Sequence, residues 1–335
     1  MLALKDLEHL SARLHGRRAR LAEGPRLAAL CGLGSPAALA SALLPGAAAG
    51  RDWPLRELVP AFVREARWTA ACLGGRWGDY AGLQAERFRL MNVRTALRGL
   101  AAGAAAGEIA AALIPLPAGE GCGPELASAG SARALPDLLP PGRLRDGLAA
   151  AVRGGRDVFL AEASLERGLL AEQVSVSSSL GGADGELASG LAAQESAAFN
   201  LSVAARGRFF HSYGAAELLP LYAPGPAMGP RRYSRLLAAG TAAELRSLAA
   251  GSAVEAGPPE PDLPALEALA WRRLHKLAVR AFTAAAGGSG TAAAYLALRR
   301  VELANLASVA EGLRLGLEPG ALLRRLIPRA EASGD

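Results

Sequence analysis

The chain has 335 residues, 51% of them hydrophobic but only 5% aromatic, so a sizeable core has to be built from Leu, Val, Ala and close backbone contacts. Its net charge of +6 comes from arginines, since only Lys5 and Lys276 are lysines; they are spread among 31 acidic residues without interleaved aromatics, which excludes a nucleic-acid-binding face. Cys31, Cys72 and Cys122 form no C-x-x-C pair and read as buried reduced thiols, which excludes a disulfide scaffold.

The first segment, "MLALKDLEHLSARLHGRRARL", is charged from residue 5 and has no apolar stretch of signal-peptide type. The uncharged run 27–50 is long enough to span a bilayer, but Ser35 reads as a helix cap, Pro36 as a first helical position, and Pro45-Gly46 as a stop. "RELVPAFVREARW" then shows helical spacing of apolar residues. Loop-like stretches follow at 117–136, 177–190, 223–231 and 251–264. "VSVSSS" at 174–179 is the one β-like run. Helical patterns return in "YSRLLAAGTAAELRSLA", where Thr241 and Glu244 form a capping box, and in "PALEALAWRRLHKLAVRAF". The second uncharged run, 281–298, is broken by "GGSG". The class is all-α, with no transmembrane segment.

The chain contains three asparagines, Asn92, Asn200 and Asn305, spaced by 108 and 105 residues. Each has an aliphatic residue after it and a glycine seven positions on: Gly99, Gly207 and Gly312. The first and third copies share a further glycine at eleven, Gly103 and Gly316, and Ile-Pro at twenty-two and twenty-three, Ile114-Pro115 and Ile327-Pro328. In the middle copy His211 replaces the second glycine and Pro224 arrives one position late. Steps of three and four place Tyr295, Leu298, Glu302, Asn305, Val309 and Gly312 on one helix face. An Asn there can satisfy free backbone groups of a neighbouring helix end, and a mid-helix Gly suits a close helix contact. Gly103 and Gly316 read as left-handed helix caps. The expected organisation is three similar helical domains, 1–117, 118–225 and 226–335, each ending in a long helix, a Gly stop and a shorter helix.

Chemical constellations are absent from this pattern. No Walker-type phosphate loop occurs. His9, His15, His211 and His275 have no metal-ligand spacing. Glu86, Glu195 and Glu302 precede the asparagines by six, five and three residues, so they do not form an equivalent carboxylate set. No catalytic residue, metal, cofactor, nucleic acid or small-molecule substrate is expected; a pocket joining a histidine with a carboxylate would revive an enzymatic reading.

The segment 294–327, "AYLALRRVELANLASVAEGLRLGLEPGALLRRLI", resembles the C-terminal signature of the V/A-type ATPase C-subunit family, whose eukaryotic V-ATPase members are the d-type subunits. It carries the Tyr295 helix, Glu302-x-x-Asn305-Leu306, the Gly-ended arm and the short helix after Pro319. "ERFRLMNVRTALRGLAAG" (86–103) is similar to the family's earlier copy of that helix, and "HLSARLHGRRARL" to its opening segment. The resemblance implies three domains arranged as a funnel around a pseudo-threefold axis. It implies a non-catalytic socket at the cytoplasmic face of a membrane, with the proteolipid rotor ring at one end and shaft subunits D and F in the other. Torque would pass between ion movement and ATP turnover in the A and B subunits. A generic α-helical scaffold or adaptor outside the ATPase remains the alternative.

Overall fold

The computed structural model describes residues 4–44, 55–155, 157–255, 263–285 and 287–327, and among these the regular elements are helical. Pro45-Gly46, Pro328 and part of the 251–264 loop lie outside the described residues. The α-helices are α1 (Leu4–Arg18), α2 (Gly24–Cys31), α3 (Pro36–Leu43), α4 (Leu55–Leu73), α5 (Gly75–Ala101), α6 (Ala106–Ala112), α7 (Arg143–Arg153) and α8 (Val158–Ser178). They continue with α9 (Gly182–Phe209), α10 (Ala215–Leu218), α11 (Pro230–Ala238), α12 (Ala242–Ala249), α13 (Leu263–Ala284), α14 (Gly290–Arg314) and α15 (Pro319–Arg325). Short 3-10 turns occupy Pro124–Ser128, Leu135–Leu138 and Leu219–Leu221.

Three long antiparallel hairpins dominate: α4–α5, α8–α9 and α13–α14. The second helix of one packs on the first helix of the next, α5 on α8 and α9 on α13, and α14 returns to α4. The packing therefore closes on itself. Helices α1, α2 and α3 lie against α14, so the N-terminal segment covers the junction where the last hairpin meets the first. In the amino-terminal halves of α5, α9 and α14, Tyr80, Ala188, Ala192, Ala293 and Ala297 are buried in one cluster, with α14 packed on both other helices and the Tyr80 hydroxyl 3.5 Å from Ala188 O. Small side chains let these backbones approach closely, which is how an aromatic-poor chain fills its centre.

Local signals explain the element ends. The Ser35 hydroxyl accepts the Ala38 N–H at 3.1 Å with Pro36 following, as the sequence predicts. Thr241 accepts the Glu244 N–H, but the Glu244 carboxylate reaches back to Gly240 N rather than to Thr241, so the reciprocal half of the box is displaced by one residue. Two expectations are corrected. The β-like run 174–179 is the end of α8, where Ser177 and Ser178 turn their hydroxyls onto Val174 O and Ser179 onto Val176 O. The loop expected over 177–190 is a short turn at 179–181, and α9 begins at Gly182, because Ala188, Leu191 and Ala192 are buried against neighbouring helices. Cys31 and Cys122 are buried, and burial pushes both thiols up; Cys72 is only half-buried. Among the described residues no helix is long and apolar enough to cross a membrane.

Candidate functional site

Each of the three asparagines clamps one backbone residue beyond its own helix. Asn92 donates to Ile114 O at 2.8 Å and accepts Ile114 N–H at 2.9 Å, and it donates again to Cys122 O at 2.8 Å. Asn200 makes the same reciprocal pair with Ala223, both at 2.8 Å. Asn305 makes it with Ile327, at 3.2 and 2.8 Å. In the sequence every clamped residue precedes a proline, which biases it to extended backbone and leaves its N–H and C=O for the amide. All three asparagines are buried.

The glycines seven residues on sit under the short helix that the clamp closes. A Cβ at Gly99 would lie 2.6 Å from Ile109 Cγ1, at Gly207 2.6 Å from Leu218 Cδ2, and at Gly312 closer still to Leu322 Cδ2. The α5 and α14 ends match: Ala104 N–H reaches back to Gly99 O and Leu317 N–H to Gly312 O, both at 2.9 Å, with Gly103 and Gly316 at φ +70° and +66°. In the middle copy the bond to Gly207 O comes from Tyr213, one residue further, and the left-handed residue is Ser212 at φ +57°. The His211 position is thus followed by one inserted residue, and this accounts for the late Pro224. Glu302 has a separate local task. Its Oε1 accepts the Ala22 N–H at 2.6 Å and its Oε2 takes Arg299, which ties the N-terminal segment to α14. Beside it Glu65 gathers Arg17, Arg299 and the Tyr295 hydroxyl.

A charged group that the spacing of carboxylates did not reveal lies at the centre. Arg87, Glu195 and Arg300 each stand five residues before an asparagine, and they meet where α5, α9 and α14 converge. Glu195 accepts Arg87 through Oε2 and Arg300 Nη1 through Oε1 at 2.8 Å; Gln173 also donates to Oε1 at 3.3 Å. Arg300 Nη1 reaches Gln84 Oε1 at 3.2 Å, and its guanidinium lies 5.7 Å from the Trp271 ring centre. Burial alone would raise the Glu195 carboxyl, but Arg300 and Arg87 outweigh it and the net shift is downward. Burial, then the like charge of Arg300, lowers Arg87 to about 10. Seeking any charge at one common offset, rather than a carboxylate at each copy, finds this triad in the sequence.

The triad forms part of the wall of a cavity of about 460 Å³, bounded by α5, α8, α9, α13 and α14. Its wall holds further ion pairs: Arg94 with Glu162 and Glu166, Arg98 with Glu162, and Arg206 bidentate to Glu267. His211 also lines it, stacked on Phe159 with ring centres 4.3 Å apart. Among the described residues no hydrogen bond or ion pair joins that histidine to a carboxylate, and these glutamates are all bound to arginines. Glu86 is held by Arg67 and Arg89 on another face of α5. His9 and His15 are exposed, and His275 is buried 3.8 Å from Glu23. No group of three metal-ligating side chains occurs among the described residues.

A search of curated proteins found no match to the chain. The sequence model for the ATP synthase (C/AC39) subunit matches residues 80–325, which covers all three asparagine helices and the cavity between them. The chain therefore belongs to the C/AC39 family of ATP synthase subunits, which is the C/d-type family of the V/A-type ATPases.

Proposed function

We propose that the chain is the non-catalytic central-stalk socket of a V/A-type rotary ATPase, seated on the proteolipid rotor ring at the cytoplasmic face of the membrane and receiving shaft subunits D and F. The family match over residues 80–325 carries this reading. The equivalent clamps of Asn92, Asn200 and Asn305 support three repeated units, divided as 1–117, 118–225 and 226–335, around a pseudo-threefold axis. The centre is packed at the amino-terminal halves of α5, α9 and α14 and holds a cavity beyond the Arg87–Glu195–Arg300 triad. A funnel with its mouth on the cavity side fits that arrangement. Helices of 27, 28 and 25 residues run about 40 Å at 1.5 Å per residue, and the closed packing stiffens them against torsion.

The test is affinity capture of the tagged chain from detergent-solubilised membranes of its source. Co-purification of proteolipid and shaft subunits is the expected result. Recovery of the chain with neither partner would point to a helical adaptor outside the ATPase.

A further inference from the structure

Five arginines and four glutamates line the central cavity. Arg94 and Arg98 are matched by Glu162 and Glu166, and Arg206 by Glu267. That leaves Arg87 and Arg300 sharing the single carboxylate of Glu195, so one positive charge is in excess at the cavity floor. The donors there are also under-used. Arg87 donates to Gln173 Oε1 as well as to Glu195 and keeps its Nε enclosed within the protein, whereas Arg300 spends only Nη1 on hydrogen bonds among the described residues. The neighbouring Gln194 is engaged elsewhere: its Oε1 takes Arg273 Nε at 2.8 Å, and its Nε2 is committed to Ala253 O and Ala270 O. An uncompensated charge away from water is costly, and a guanidinium is shaped to bind carboxylate, phosphate or sulfate oxygens.

We propose that the floor of the central cavity, formed by Arg87, Arg300 and Glu195, is a receptor for one carboxylate or oxyanion group. The group is either a side-chain carboxylate of a segment seated in the cavity, which rests on the socket reading above, or a free phosphate or sulfate ion. Burial first, and then the like charge of Arg300, lowers the Arg87 pKa. Sodium sulfate titrated against sodium chloride at constant ionic strength, with the thermal midpoint as readout, tests it. Wild type shows a saturable rise above the general, non-saturating salt effect. Arg300→Gln removes the excess charge while leaving Glu195 with Arg87, and the saturable part disappears. Glu195→Gln raises the excess to two, and half-saturation falls at least tenfold in sulfate concentration. Identical responses in the three proteins overturn the proposal. Should Arg300→Gln fail to fold, an unchanged half-saturation in Glu195→Gln overturns it alone. In a reconstituted complex with the shaft subunits, loss of the sulfate response assigns the site to a partner carboxylate, and a persistent response assigns it to the free ion. A chain that binds sulfate but no shaft keeps the site and removes only the socket reading.

Discussion

Replacing Asn200 by Ala is the sharpest probe of the clamps. The amide is fully buried, as is Ala223, and both hydrogen bonds between them are 2.8 Å long. Alanine removes the amide, but the Ala223 N–H and C=O remain, since backbone groups cannot be mutated away. Each stranded buried group costs about 1–3 kcal/mol, and packing around the vacated volume recovers little of it, so a loss of about 2–4 kcal/mol is expected. Urea denaturation followed by far-ultraviolet circular dichroism measures this, with the midpoint falling while the slope stays constant. A loss below about 0.5 kcal/mol, smaller than one net hydrogen bond, would refute the clamp as the element that holds the segment after α10.

Gly312→Ala should cost about 1–3 kcal/mol through collision with Leu322, and Leu322→Ala in the same chain should recover part of it, a coupling that a double-mutant cycle in urea detects. Glu195→Leu should cost about 3–5 kcal/mol by stranding two arginines, whereas changing Arg87, Glu195 and Arg300 together to apolar residues should cost far less, measured by thermal midpoint. Because the Glu195 carboxyl titrates below its unfolded value, it contributes stability above that value and loses it as pH falls through the lower, folded one; an acid titration of Glu195→Gln should lack this component. Ser212→Gly should raise the thermal midpoint, since it relieves a left-handed residue worth about 1 kcal/mol where the other copies carry glycine.

The helical class was legible because apolar spacing of three and four persists in most segments, and the asparagine and glycine positions were legible because they recur. Even the clamp's partner was visible, as Ile114 and Ile327 ahead of proline twenty-two residues on, although spacing alone did not link it to the amide. The Ser-rich end of α8 misled for a physical reason: β-branched and hydroxyl residues disfavour an isolated helix, but Val176 and Ser177 are buried in a hairpin that overrides the propensity. The triad stayed hidden because its members differ in charge. Only the packing of three distant helices shows that one offset means one place.

That difference in charge limits how alike the three inner helices can be. Three identical ionised residues at the meeting point would repel one another with no counter-charge, so a charged centre needs both signs among the three helices. The acid is on α9, which leaves α5 and α14 facing each other with like charges. The junction between the first and last hairpins therefore gains no ion pair from the triad, and it is held away from it, by Glu65 with Tyr295 and Arg299 and by Glu302 with the backbone of Ala22.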